Sequence, residues 1–275
     1  MKLASRFGRG HTSVRSHQPL TNEEIASVAP SIFATDKHDS RSERYTYIPT
    51  IEVLEKLRSE GFMPFMACQA RCRDEGKREH TKHMLRLRYA AHIVSNEANE
   101  IILLNSHDGT SSYQMLAGTY RFVCCNGMVC GDTMNGIRVP HKGNIVDNVI
   151  DGAFRVVNDF DRINGQIDGM KSLSLSEGEQ IAFAQAALAL KYDPQTEPAP
   201  ITERQILEPK RREDVGDDLW KTFNRVQERM LQGGLRGHTA KGRRVTTRAV
   251  SGIDQDLRLN RALWILAEQM KALKH

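Results

Sequence analysis

Apolar positions along this chain follow two different periods, and the change from one to the other divides it. Across residues 65–73, Met66, Cys68, Ala70 and Cys72 alternate with Gln69, Arg71 and Arg73; across residues 85–89, Leu85, Leu87 and Tyr89 alternate with Arg86 and Arg88. A period of two belongs to a strand with one buried face. The two segments therefore predict a hairpin across the charged loop 74–82, with the apolar set inward and the arginines outward. Further strands are predicted at 101–104, ending in the turn-forming cluster Asn105-Ser106-His107-Asp108-Gly109, and at 119–123, where Tyr120 and Phe122 alternate with Arg121 before the turn dipeptide Asn126-Gly127.

Elsewhere the period is helical. Val53, Leu54 and Leu57 form a stripe between Pro49 and Gly61, with Thr50 as the expected cap. Ile145, Val149, Ala153, Val156, Phe160 and Ile163 predict one helix over 144–163, and an Ala-rich helix follows over 181–192. Leu219, Phe223, Val226 and Met230 mark another, ended by Gly233-Gly234, and Leu259, Leu263, Leu266 and Met270 mark a last one. The expected fold class is α+β: an antiparallel sheet with helices packed on one face and a helical C-terminal part.

Three regions are expected. Residues 1–44, rich in Ser, Thr, His and Arg with no sustained apolar period, read as a mobile arm holding one short helix at the capping box Thr21-Asn22-Glu23-Glu24. Residues 45–192 form the α+β core. Residues 193–275 open with a proline-rich linker, continue through a basic loop and close with helices that pack on the core.

The stretch 105–141 concentrates Gly, Asn, Cys and His. Its segment Gly118 to Gly131, GTYRFVCCNGMVCG, together with Asn105 to Gly109 and Arg138-Val139-Pro140-His141, resembles the signature of domain-of-unknown-function family 932. The resemblance runs from about Tyr45 to the C-terminus and implies a plasmid, phage or prophage setting. It implies no reaction.

The net charge of +5 favours an acidic partner. Arg71, Arg73, Arg86, Arg88 and Arg121 are expected to share one open sheet face, and Arg236, Lys241, Arg243, Arg244 and Arg248 fall in a glycine-punctuated loop free of acids. A curved antiparallel sheet with arginine on its open face resembles, at fold level only, the single-strand annealing proteins of phages. The expected function is thus a non-enzymatic nucleic-acid-binding protein of a mobile element. It would bind or anneal single-stranded DNA in recombination, replication or transfer, and act as a ring or filament homo-oligomer. The alternative is an anti-defence factor that binds a host or element-encoded protein such as a nuclease.

Enzyme chemistry is the lesser alternative. Cys125 as nucleophile, His107 or His141 as base and Asp108 as orienting carboxylate supply the residue types for thiol catalysis. Metal-ligand spacings and phosphate-binding glycine loops are missing from the sequence, so no metal and no cofactor are expected. Five cysteines, an odd number without a secretory leader, predict reduced thiols and a cytoplasmic protein. No apolar run is long enough to cross a membrane.

Overall fold

The computed structural model describes residues 11–41, 47–72, 74–89, 93–94, 97–123, 126–130, 137–138 and 145–274. The chain divides into two compact units, Met1–Phe160 and Asp161–His275.

The first unit is built on one antiparallel sheet. Its strands are β1 (His11–Arg15), β2 (Phe62–Ala70), β3 (His83–Tyr89), β4 (Ile93–Val94), β5 (Glu97–Asn105), β6 (Gln114–Arg121), β7 (Asn126–Val129) and β8 (Ile137–Arg138). The path runs β1-β2-β3-β5-β6-β7, with β4 on β5 and β8 on β6. Helices α1 (Asn22–Val28), α2 (Thr50–Ser59) and α3 (Ile145–Asn158) pack against β1 and β2, against β2, and against β5 and β6 respectively. The α+β class and the helix-covered sheet face are therefore present.

Residues 11–41 carry the expected short helix, with Thr21 and Glu24 forming its capping box. They also carry β1, which pairs along β2 from His11↔Ala70 to Arg15↔Met66. Thr50 is the first residue of α2 and not its cap, because its hydroxyl is engaged by His83 and Asn105.

The arginine face is the main correction. Opposite β3, β2 places Gln69 against His83 and Ala67 against Leu85, and a register shift between Pro64 and Met66 puts Met66 against Arg86. Gln69 thus shares its face with Leu85, not with Arg86. Nor is the arginine side open to water: Arg86 and Arg88 are each 1% exposed and Arg121 is 7% exposed. The sheet curls, as twisted sheets do, far enough for the Arg15 guanidinium on β1 to lie 4.9 Å from the Tyr120 ring on β6. Its second face becomes a concave interior that holds Arg86 and Arg88. Arg121, opposite Glu97, lies on the other face, the one that carries Leu85 and Leu87, and so does not extend the expected arginine set.

The second unit is mainly helical: α4 (Phe160–Lys171), which begins at the boundary, α5 (Glu177–Ala189), α6 (Glu203–Leu207), α7 (Leu219–Gln232) and α8 (Ile253–Leu273). The single helix expected over 144–163 is two, α3 and α4, separated at Asp159. α7 is capped by Asp218, whose carboxylate accepts from the Lys221 N–H. Trp220, Phe223 and Trp264 pack as a buried aromatic cluster between α7 and α8, and Gln227 donates to Asn260 across the same contact at 2.7 Å. Residues 235–248, expected as a flexible loop, contain a two-stranded hairpin of β9 (Arg236–His238) and β10 (Arg244–Thr246). Among the described residues no helix is long and apolar enough to cross a membrane.

Candidate nucleic-acid interface

In the first unit the expected phosphate contacts are used inside the fold. Arg86 Nη1 lies 3.2 Å from Glu100 Oε2 and donates to the Met128 carbonyl at 3.2 Å, while Arg88 Nε donates to Glu100 Oε1 at 3.0 Å. The Arg88 guanidinium sits 4.3 Å from the Phe65 ring, 4.2 Å from Tyr120 and 5.1 Å from Phe122. A carboxylate between two guanidiniums and a box of ring faces compensates the burial of both charges. These side chains have no path to a ligand phosphate. Of the remaining members of that set, Arg71 is exposed beyond the end of β2, and Arg73 lies outside the described residues.

The expected thiol site is likewise redistributed. His107 is fully buried, with its ring 5.1 Å from His83 and 4.8 Å from Tyr47. His83 is clamped by Ser31 Oγ at 2.8 Å on Nδ1 and by Thr50 Oγ1 at 2.9 Å on Nε2, and Asn105 donates to the same Thr50 oxygen at 3.0 Å. Burial, with His107 beside it, lowers His83 to about 3; burial, with His80 nearby, lowers His107 to about 4. Both rings are therefore neutral members of a buried polar network. Asp108 accepts from the N–H and hydroxyl of Thr110 at 2.9 and 2.6 Å, an Asx turn that engages its carboxylate locally. Cys125 and His141 lie outside the described residues. Among the described residues no group of His, Cys, Asp or Glu converges to hold a metal ion.

The second unit brings the other basic set together. Gly233, with φ of +63°, ends α7, and the chain then pairs back on itself: Thr246 with Arg236, Val245 with Gly237, and Arg244 with His238. The turn is closed by Thr239 N–H to the Arg243 carbonyl at 2.9 Å and by Gly242 N–H, at a φ of +74°, to Thr239 at 2.8 Å. Alternation places Arg236, His238, Arg244 and Thr246 on the exposed face, and Gly237 and Val245 on the other. The hairpin is fastened by His238 N–H to the Pro200 carbonyl and by Gln205 Nε2 to the Arg236 carbonyl, both 2.9 Å.

Arg236, Lys241, Arg243, Arg244 and Arg248 are all exposed, and Arg258 on α8 is exposed beside them. No acid occurs between Glu228 and Asp254. Among the described residues, none of these six cations has an acidic partner. Alongside the hairpin runs a solvent-open groove of about 1150 Å³, bounded by Leu190–Tyr192, by Thr196–Pro200 and by the outer face of α8. Lys191 anchors its wall by donating to the Met230 carbonyl at 2.9 Å and the Arg248 carbonyl at 3.3 Å, and burial pushes its pKa down. Arg258 and Tyr192 were not singled out by sequence. Arg258 lies on a helix whose apolar stripe dominates its pattern, and only tertiary packing places it at the groove.

Comparison with known proteins gives a consistent assignment without an activity. The family described as Domain of unknown function (DUF932) matches residues 37–264, beginning slightly before the expected start near Tyr45. The UPF0380 proteins YafZ and YfjQ of Escherichia coli (strain K12) are each 55% identical over 269 residues, which cover 98% of this chain and 97% of theirs. No solved structure matches. With its family match spanning most of the chain and its relatives aligned end to end, the chain belongs to the DUF932 family.

Proposed function

We propose that this protein binds nucleic acid through the basic hairpin and groove of its second unit, without catalysing a reaction on it. The observation that carries the reading is the cluster of six exposed cations, Arg236, Lys241, Arg243, Arg244, Arg248 and Arg258, in an acid-free part of the surface. Arg86, Arg88 and Arg211 are engaged by carboxylates, Glu100 for the first two and Glu228 with Asp214 for the third, and buried Arg225 is held by the Asp214 and Gly216 carbonyls, Gln180 and Thr222. The hairpin cations have no such duty. Unpaired guanidiniums held on a fastened strand pair keep their donors available for phosphate oxygens, and a polyanion repays the mutual repulsion of six like charges.

The test is fluorescence anisotropy of labelled oligonucleotides with the full chain across a salt series. Six phosphate contacts give a log-log slope of about −4 for a single strand, so affinity falls roughly 300-fold between 50 and 200 mM salt. Arg243→Ala and Arg244→Ala each reduce the slope by about 0.7. An affinity that is absent at low salt, or that ignores salt, overturns the proposal and moves the basic surface to an acidic protein partner.

A further inference from the structure

We infer that the groove beside the β9–β10 hairpin receives the unpaired bases of a single strand while the cations on its rim hold the phosphates, so that this surface selects single-stranded over duplex nucleic acid. The inference rests on the nucleic-acid reading above and adds the class of strand it takes.

Phosphate binding alone has no use for a trough. A charged rim facing solvent already satisfies the backbone of a duplex, whose bases are stacked and hidden. Here the rim borders a recess whose walls are largely apolar. Leu190 is 46% exposed at its lip, and Tyr192, Pro198, Pro200, Val250 and Leu259 contribute further apolar surface. An exposed leucine next to an accessible tyrosine ring and two prolines offers flat, weakly hydrated surface of the kind on which bases stack.

Lys241, Arg243, Arg248 and Arg258 all line the groove, Lys191 is bonded there to main-chain carbonyls, and Glu197 is its one acid among the described residues. A carboxylate in the lining accepts hydrogen bonds from exocyclic amines, which bases carry and backbones do not. The volume, about 1150 Å³, exceeds the roughly 300–1,000 Å³ of a pocket for one small molecule and leaves room for more than one base.

Three labelled probes at one salt concentration test this with the full chain: a single strand, an abasic strand with the same number of phosphates, and a duplex. The variants are Tyr192→Leu, which removes the ring, and Ala262→Trp, which fills the groove from a half-exposed position on α8 and leaves every cation in the sequence. The wild type is expected to bind the single strand at least about 10-fold more tightly than either of the others, since stacking contributes about 1–3 kcal/mol per base. Both variants should lose that preference and keep their affinity for the abasic strand and the duplex, whereas Arg243→Ala should weaken all three alike. Equal, salt-sensitive binding of the three probes by the wild type overturns the groove assignment and leaves the nucleic-acid reading standing. Unchanged discrimination in both variants also overturns it. Binding of none of the probes removes the reading and the inference together.

Discussion

Replacing Glu100 by Gln keeps the size and planarity of the side chain and removes the single negative charge that Arg86 and Arg88 share. Each guanidinium is about 3 Å from a Glu100 oxygen, at side-chain exposures of 1–2%. At an effective dielectric of ~20 the gross attraction per contact is about 5 kcal/mol, most of which offsets the desolvation of the three ions. What the substitution measures is different: it leaves buried cations without their counter-ion, which costs about 3–5 kcal/mol. Both tryptophans, Trp220 and Trp264, belong to the second unit, so fluorescence does not report on this site. Hydrogen exchange of the β3 and β5 peptides, read by mass spectrometry, does. Glu100→Gln should lower the protection free energy of those strands by about 3 kcal/mol or more, with little relief from 1 M salt because the ions are screened from solvent. Adding Arg88→Met, whose thioether fits among Phe65, Tyr120 and Phe122, should cost less than the two single changes together, a coupling of about 1–3 kcal/mol. A loss under about 1 kcal/mol, or one restored by salt, would refute the buried-triad account and return these arginines to the surface.

The neutral histidines make stability depend on pH. Their folded pKa values lie below the ordinary value near 6.5, so the unfolded chain takes up protons first, and stability is full above about pH 6.5 and falls as pH drops toward about 4 and 3. The slope reaches as much as about 2.7 kcal/mol per pH unit for two sites; urea unfolding at pH 7 and 5 should show the loss, and His83→Gln with His107→Gln should flatten it. Gly237→Ala should detach the hairpin from its support, because a Cβ there falls 1.8 Å from the Pro200 carbonyl oxygen. Proteolysis at residues 239–243 should then accelerate markedly, and an unchanged cleavage rate would contradict the close approach.

Elements defined by local pattern were legible from sequence. The stripe Leu219, Phe223, Val226 and Met230 gives α7, the capping box at Thr21 gives α1, and the 85–89 alternation gives β3, which begins two residues earlier at His83. The error in β3 was one of side, not of element. Alternation tells which residues share a face but not which face meets water, and the rule that charged residues face out fails when a sheet curls enough to enclose its second face. The register with β2 adds a further failure, since the shift between Pro64 and Met66 reverses the side on which each residue beyond it lies. At Asn105–Gly109 the turn was legible, and Asp108 caps it, but the burial of the His107 ring was not, because the residues around it, Thr50, Ser31 and His83, are distant in sequence.

The two arginine sets show what decides between structural and available charge. Arg86 and Arg88 stand in a strand without acids, and so do Arg243 and Arg244 in their loop; local composition does not separate them. The difference is a carboxylate delivered through space. The β3–β5 register runs from His83↔Asn105 to Leu87↔Ile101, which carries Glu100, twelve residues beyond Arg88 in sequence, to the end of the ladder beside it. For the hairpin, the register with itself brings only His238, Gly237 and Arg236 opposite β10, and the support beneath it is the Pro200 carbonyl and the Gln205 amide. Neutral anchors fix the backbone without consuming the guanidiniums. The proposed nucleic-acid surface rests on that difference: Glu100 consumes the side chains of Arg86 and Arg88, whereas the hairpin is held through its main chain.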